Sequence, residues 1–280
     1  MTSTAMTAAT TTITATGIQA RVQSLYIYPT KSAQGVAVSQ MAFDARGPVG
    51  DRRYMVIGAD GEFRTQRNLP ALTQLAVVPD IDGAVQLSAT GRSPLLVAAP
   101  GVTAARRGAK VWADEVLLRD CGDAAAQWLT ELLREPCRLL FQGDDGTRPI
   151  HRQPGREVSL ADGYPLLLLS AAAVTEFGAR LGNVVSERRF RPNIVLEGCA
   201  AHAEDSWQRL RIGGNTFSVA KPCERCSIPS LDPDTGVVTA GFNRALASYR
   251  SRDGQIYFGQ NVIHEAQVPI AVGDTVQVLA

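Results

Sequence analysis

The chain has 280 residues, of which 45% are hydrophobic and 20% charged, and its formal net charge at pH 7 is +1. A chain of this length can bury a substantial core, and the composition is typical of a globular protein rather than a disordered one. The near-zero net charge argues against nucleic acid as a partner, because a phosphate-binding surface needs a clear basic excess. No apolar run approaches the roughly eighteen residues of a spanning helix, so we expect no membrane span.

The cysteines and the start of the chain bear on the cellular compartment. An odd number of cysteines, five, without an export signal is typical of a reducing compartment with free or metal-bound thiols. The first sixteen residues carry eight threonines and no charge, unlike a secretory signal or a mitochondrial presequence. We therefore expect residues 1–20 to be a disordered tail and the protein to be cytoplasmic.

Short apolar or alternating runs broken by Gly, Pro, Asp and Asn begin near Val22 and predict antiparallel strands. The predicted strands of the first half are residues 25–28, 53–57, 75–78, 85–87 and 94–98. Two hairpin turns are predicted at residues 60–61 and 82–83, because each is an Asp-Gly pair and a tight turn favours positive φ.

Two helices interrupt this β pattern. Residues 125–133 place apolar side chains on one helical face, with Asp120 or Asp123 available as N-cap. A second helix is expected to begin at Ser170, another candidate N-cap, and to end at Gly182, which suits a left-handed cap.

Strands are then predicted to resume. Further strands are predicted at residues 191–196, 210–212, 216–219 and 274–279, with a short helix near 243–250. The polar stretch 143–156 predicts a linker or mobile loop. We thus expect two β-rich domains, residues 21–140 and 148–279, with a ligand cleft between them.

The segment from Lys221 to Cys226 contains a C-x-x-C pair. Lys221 and Arg225 beside Cys223 favour the thiolate that a metal requires. Spacing alone leaves four interpretations open: a catalytic metal ligand, half of a zinc site, a thioredoxin-like redox pair, or two packed cysteines. None of the three histidines has a partner at metal-ligand spacing, which argues against zinc.

Eight stretches in one order resemble the family of MOSC proteins that includes the bacterial YcbX-like proteins and the mitochondrial amidoxime-reducing component. The stretches are LYIYPTKS at residues 25–32, GDRRY at 50–54, RDCGDAAAQW at 119–128, FRPNI at 190–194, EDSW at 204–207, CERC at 223–226, LDPDTG at 231–236 and FGQN at 258–261. The resemblance covers nearly everything after residue 20.

The resemblance implies a β-rich α+β fold: a MOSC-type β-barrel, an N-terminal MOSC-associated β-barrel domain and a few packing helices. It also implies a molybdenum cofactor, a molybdopterin whose dithiolene sulfurs hold the metal together with one protein thiolate. That catalytic metal ligand is Cys223, and Cys226 is then a neighbouring or structural residue. A soft thiolate suits a thiophilic metal.

Charge-assisted hydrogen bonds are expected to hold the phosphate and pterin of this cofactor. The cofactor-binding residues implied by the resemblance are Lys31, Ser32, Arg52, Asp162, Gly163, Tyr164, Arg191, Asn193 and Asn261. The segment from Asp162 to Tyr164 departs from the small hydroxyl residues of the mitochondrial proteins, so its backbone N–H groups are expected to make the contacts. Asn261 replaces a tyrosine of those proteins, which leaves the substrate range open.

The implied activity is two-electron reduction of N-hydroxylated compounds, such as amidoximes, hydroxylamines and hydroxylated purines, with the oxygen leaving as water. Because residues 271–280 resemble a last barrel strand, without the iron–sulfur domain of some relatives, electrons are expected from a separate ferredoxin, flavoprotein or cytochrome. Asp232, Asp234 or ordered water are the candidate proton donors. Two alternatives remain: a binding module that carries sulfur or cofactor with a persulfide on Cys223 or Cys226, and a simple dithiol reductase.

Overall fold

A computed structural model of the chain describes residues 20–80 and 83–280. The predicted tail, apart from Ala20, and Asp82 of the second predicted turn lie outside the described residues. The described chain is β-rich with three α-helices, as the sequence predicted. Among these residues, no helix combines the length and the apolar character needed to cross a membrane.

Residues 20–141 form twelve short strands and one helix. The strands are β1 Ala20–Ile27, β2 Val36–Val38, β3 Gln40–Met41, β4 Phe43–Asp44, β5 Gly47–Pro48, β6 Tyr54–Gly58, β7 Ala76–Pro79, β8 Val85–Ser88, β9 Leu95–Val97, β10 Arg106–Val111, β11 Asp114–Asp120 and β12 Cys137–Phe141. Helix α1, Asp123–Leu133, lies between β11 and β12.

Residues 166–278 form the remaining strands and helices. The strands are β13 Leu166–Ser170, β14 Ile194–Glu197, β15 Arg209–Ile212, β16 Asn215–Glu224, β17 Ser251–Arg252, β18 Gln255–His264, β19 Ile270–Ala271 and β20 Thr275–Val278. The helices are α2, Ala171–Leu181, and α3, Phe242–Arg250. Short 3-10 turns occur at Pro70–Gln74, Glu187–Phe190, Ala203–Ser206 and Ile228–Ser230.

Seven strands close into a barrel in the order β13, β14, β1, β20, β15, β16 and β18, with β18 pairing back to β13. Only the β13–β14 pair in this ring is parallel. Closure removes the exposed edges that an open sheet would present. Strand β1 lies between β14 and β20. The first predicted domain therefore supplies one strand of a barrel whose other six strands come from the second.

A second β unit lies beside the barrel. Strands β10, β11, β12 and β6 form one sheet in that order, and β7, β8 and β9 form another. Helix α1 contributes Leu129 and Leu133 to the core between these sheets, where they pack with Val56, Leu87 and Leu139. The amphipathic pattern of residues 125–133 therefore correctly located the helix and its buried face.

The predicted N-cap of α1 was wrong, and that of α2 was correct in position but makes no capping hydrogen bond through its side chain. Helix α1 is preceded by Gly122 at a φ of 89°, and no side chain caps it. The Asp120 carboxylate instead accepts from the N–H of Gly122 and binds the guanidinium groups of Arg107 and Arg138. Ser170 occupies the N-cap position of α2, but its Oγ accepts from the His202 N–H at 3.2 Å. In each case the side-chain oxygen bonds to a residue distant in the chain instead of to the N–H groups of the first helical turn.

The stretch 143–156 is irregular, as expected of a connection, but Arg148 anchors it to the protein. This side chain is only 3% exposed. Its Nε donates to Asp114 at 2.6 Å, and its Nη2 donates to the Asp162 carbonyl at 2.8 Å. The connection is therefore tied to the segment that contains three of the predicted site residues, rather than free of it.

Irregular pairing between β16 and β18 determines how Cys223 is presented. Pro222 pairs with Gln260, while Glu224 pairs with Tyr257, so Cys223 faces two residues of β18 instead of one. A β-bulge of this kind bends the strand and re-aims the side chain beside it.

Glycine is required at position 259 of this bulge. Its φ is +76°, and a Cβ there would lie 2.8 Å from the Leu168 carbonyl oxygen. We expect Gly259→Ala to destabilise the protein by about 2 kcal/mol or more, because left-handed backbone costs roughly 1–2 kcal/mol and the added methyl displaces β13. The measurement is the free energy of unfolding in urea.

Gly254→Ala is the matched control. Gly254 has a φ of +75°, but a Cβ there would meet nothing within 4 Å. The free energy of unfolding of the control should therefore fall only by the cost of placing alanine in left-handed backbone. Equal decreases in the two variants would show that the contact with β13 does not contribute.

Candidate active site

One cavity of about 140 Å³ opens where the second β unit meets the barrel. All ten residues predicted from the sequence line it, namely Lys31, Ser32, Arg52, Asp162, Gly163, Tyr164, Arg191, Asn193, Cys223 and Asn261. They come from six short segments spread between residues 31 and 261. The structure therefore brings the predicted set together, while the role of each residue stays a prediction.

Lys31 follows β1 and reaches across the cavity wall to the second half of the chain. Its Nζ donates to the Leu160 carbonyl at 3.0 Å and to the Asp162 carboxylate at 2.5 Å. Burial lowers the pKa of Lys31 in spite of this carboxylate. Desolvation beside the cavity would raise the pKa of Asp162, but the Lys31 ammonium outweighs it and holds the pKa of this exposed carboxyl below its usual range.

Three of the lining residues have left-handed backbone without being glycine. The φ angles are 66° at Ser32, 48° at Arg52 and 56° at Arg191. Such conformations are uncommon for L-residues and cluster at functional sites, where the surrounding structure holds them. The Ser32 hydroxyl lines the cavity, and among residues 20–80 and 83–280 no group hydrogen-bonds to it.

Two guanidinium groups lie over the ring of buried Tyr28, Arg52 at 4.4 Å and Arg191 at 4.3 Å. Arg52 is neutralised by Asp51, at 2.7 Å. Within the described ranges no carboxylate forms an ion pair with Arg191, whose Nη1 donates to the Ala33 carbonyl at 2.6 Å. Burial lowers the pKa of Arg191 to about 10, so its charge persists at neutral pH. Arg191 therefore offers an uncompensated positive charge to an anion.

Asn193 forms part of the wall with its amide fully engaged. Its Nδ2 donates to the Tyr26 carbonyl and to Asp51, both at 3.1 Å. Its Oδ1 accepts from Arg52 at 2.9 Å and from the Leu167 N–H at 3.2 Å. An amide has two donors and two acceptor positions, so none is left for a ligand. The residue holds Arg52 and Asp51 in place.

The segment from Asp162 to Tyr164 lines the cavity and, within the described residues, has unbonded backbone N–H groups. In the described part of the chain no acceptor receives a hydrogen bond from the N–H groups of Asp162, Gly163 or Tyr164. A Cβ at Gly163 would meet nothing within 4 Å, so a ligand can approach closely there. Successive free N–H groups form the kind of concavity that binds anions.

The two cysteines of the C-x-x-C block line the cavity with separate arginine partners. Arg225 donates from Nη1 to the Cys223 Sγ at 3.1 Å, and Arg67 donates from Nη1 to the Cys226 Sγ at 3.7 Å. Lys221, which the sequence placed beside Cys223, instead binds Glu224 at 2.8 Å. Both thiols are free.

Sequence reasoning missed several lining residues, including Phe63, Arg67 and Phe190. Arg225 was recognised as a charge but not as a partner of the sulfur, although its place inside the C-x-x-C block pointed to it. Phe63 and Arg67 carry no comparable pattern, because they reach the cavity only through the packing of the second β unit on the barrel.

The two aspartates proposed as proton donors do not line the cavity. Asp232 accepts from the backbone N–H groups of Asp234 and Thr235, each at 3.0 Å. Asp234 binds Arg188 at 2.9 Å. Burial raises the pKa of Asp232, but hydrogen bonds in this turn outweigh it and lower the pKa overall. These carboxylates stabilise a turn, and neither is placed to protonate a substrate.

Two family models match the chain: the MOSC N-terminal beta barrel domain over residues 19–136 and the MOSC domain over residues 155–277. The chain is 35% identical over 278 residues to mitochondrial amidoxime-reducing component 1 of Homo sapiens, covering 92% of this chain and 82% of that protein. It is 32% identical over 229 residues to mitochondrial amidoxime reducing component 2 of Bos taurus, covering 78% and 68%.

A third relative has a different name. The chain is 28% identical over 261 residues to molybdenum cofactor sulfurase of Oryza sativa subsp. japonica, covering 85% of this chain and 32% of that protein. With both domain models matched, and with amidoxime-reducing components similar over most of its length, the chain belongs to the MOSC family.

Proposed function

We propose that the protein is a molybdenum-cofactor-dependent oxidoreductase that reduces N-hydroxylated compounds such as amidoximes, hydroxylamines and hydroxylated purines. One observation carries the proposal. A free thiol, Cys223, lies in the same cavity as Arg191, a half-buried cation that forms no ion pair with a carboxylate in the described chain. This pair suits a ligand with a metal at one end and an anion at the other.

The donor groups of the cavity fit the molybdopterin cofactor. Arg191, the Ser32 hydroxyl and the N–H groups of residues 162–164 would hold its phosphate and polar pterin edge, beside Arg52, whose charge Asp51 offsets. Cys223 would be the protein ligand of the metal. When bound, the cofactor supplies a metal that exchanges two electrons.

The remaining wall residues hold these groups in place. Asn193 orients Arg52, and Arg225 orients the Cys223 sulfur through its contact at 3.1 Å. In the overall reaction an amidoxime takes up two electrons and two protons, its N–O bond breaks, and an amidine and water form. Water entering the cavity is the proton source we favour, since neither Asp232 nor Asp234 lines it.

Electrons must come from a donor, which we propose to be a separate electron-transfer protein of ferredoxin, flavoprotein or cytochrome type. We also propose a cytoplasmic location. All five cysteines are free in the described chain, which is the state expected in a reducing compartment.

A second candidate is a module that carries sulfur as a persulfide. The similarity to a molybdenum cofactor sulfurase favours it, and so does the exposed Cys226 beside Arg67. Both candidates predict an anion in the cavity, but they differ in what the thiols hold.

Metal and pterin analysis separates the two candidates. We expect protein purified from a host that makes the cofactor to contain about one molybdenum per chain and an oxidised pterin fluorophore. Metal-free protein that carries persulfide sulfur would instead favour the sulfur-carrying module.

Arg191→Ala should lower the pterin content of the purified protein. The variant removes a charge-assisted contact to a phosphate, worth roughly 2 kcal/mol or about thirtyfold in affinity. Arg188→Ala is the control, because Arg188 is close in sequence, bonds to Asp234 and does not line the cavity. Unchanged pterin content in Arg191→Ala, with Arg188→Ala measured beside it, would count against Arg191 as a cofactor-binding residue.

The two cysteines should differ in importance. We expect Cys223→Ser to abolish reduction of an amidoxime, because a hydroxyl is a harder and less acidic ligand than a thiol. Cys226→Ser should largely retain activity. The measurement is turnover per bound molybdenum with an artificial electron donor.

Circular dichroism should confirm that both cysteine variants are folded. Equal loss of activity in the two would make a dithiol mechanism the better account. Full activity of Cys223→Ser would disprove its role as metal ligand.

A further inference from the structure

The tip of the β10–β11 hairpin carries an exposed tryptophan. Val111 pairs with Asp114, so Trp112 and Ala113 form a two-residue turn. Trp112 is 52% exposed and has a φ of 60°. A large aromatic side chain thus occupies a conformation that L-residues disfavour.

The turn itself does not explain this residue. Two-residue hairpins with positive φ at the first central position favour glycine there. Burial does not explain it either, since about half of the side chain remains in contact with solvent. A bulky residue in strained backbone at an exposed position points to a function of the side chain.

The contacts of Trp112 locate it at the mouth of the cavity. Its Nε1 donates to the Asp162 carboxylate at 3.1 Å. The Arg67 guanidinium lies 5.3 Å from its ring centre, and the Phe63 ring meets it edge-on at 5.8 Å. Asp162, Arg67 and Phe63 all line the cavity, although Trp112 itself lies just outside.

We propose that Trp112, with Phe63 beside it, is an aromatic platform at this mouth that selects substrates whose N-hydroxylated group is carried on a planar ring. The inference rests on the proposed reductase function and names its substrate class. The group to be reduced would enter the cavity while the ring stays at the mouth, against the exposed indole.

Aromatic side chains suit this task. They stack on planar ligands in offset or edge-to-face arrangements and lose little conformational entropy on binding. An aliphatic compound with the same N-hydroxylated group cannot make this contact. Trp112 should therefore contribute to the discrimination between ligands and not to the reaction itself.

A structural interpretation competes with this one. The Nε1 hydrogen bond could serve only to hold Asp162, the partner of Lys31. The W112F variant separates ring stacking from the support of Asp162, because phenylalanine keeps an aromatic face but has no N–H donor. The W112A variant loses both the aromatic face and the donor.

The experiment compares benzamidoxime with acetamidoxime, which has the same amidoxime group without the ring. Cofactor-loaded parent protein, W112A, W112F and L117A are titrated with each compound by calorimetry, and kcat/KM is measured with an artificial donor. Leu117 is the matched control because it is on the same hairpin, 56% exposed and outside the cavity lining.

We expect W112A to weaken benzamidoxime binding about five- to tenfold and to change acetamidoxime binding less than twofold. W112F should retain most of the preference for the ring, L117A should match the parent protein, and kcat/KM should follow the same ratios. Pterin content should be equal in all four proteins.

Three results would overturn the platform: equal losses for the two compounds in W112A, a W112F variant as impaired as W112A, or no benzamidoxime binding to the parent protein. Failure of the proposed reductase function looks different. The parent protein would then bind benzamidoxime with the Trp112-dependent preference but reduce neither compound.

Discussion

The cavity depends on one buried carboxylate, Asp51. It is fully buried, accepts from the Tyr28 N–H at 2.8 Å and from Asn193 at 3.1 Å, and pairs with Arg52 at 2.7 Å. These bonds join the end of β1, the turn before β6 and the start of β14. A buried carboxylate is stable only when its partners are all in place, so the network fixes the geometry of the wall that it supports.

The same network determines the charge of the cavity. Asp51 neutralises Arg52, but Arg191, which lies over the same Tyr28 ring, has no such partner among the described residues. An unpaired guanidinium in a partly enclosed site is costly unless an anion compensates it. Arg67 and Arg225 also line the cavity without an ion pair to a carboxylate in the described chain. We propose that these cations, beside the neutralised Arg52, are the electrostatic basis of an anion site.

The β-bulge between β16 and β18 positions the Cys223 thiol. Cys223 is located at a bulge of the barrel where Gly259 lies against the Leu168 carbonyl, and Arg225 connects the sulfur to the Phe190 carbonyl. The barrel strands thus supply the sulfur, and the second β unit supplies Phe63 and Arg67 to the same cavity. The mouth, with Trp112, forms only where the two units meet.

Local sequence determined which segments form helices where their periodicity is strong, as at α1 and α2, and motif resemblance identified ten residues that share one cavity. Strand β18, the hydrogen-bond partners of Asp120 and Ser170, the four hydrogen bonds of the Asn193 amide and the position of Trp112 followed only from tertiary structure. The physical reason is the same in each case. Polar and aromatic side chains can choose between local partners and residues distant in the chain, and the fold decides which contact forms. This choice produces no periodic pattern in the sequence from which it could be predicted.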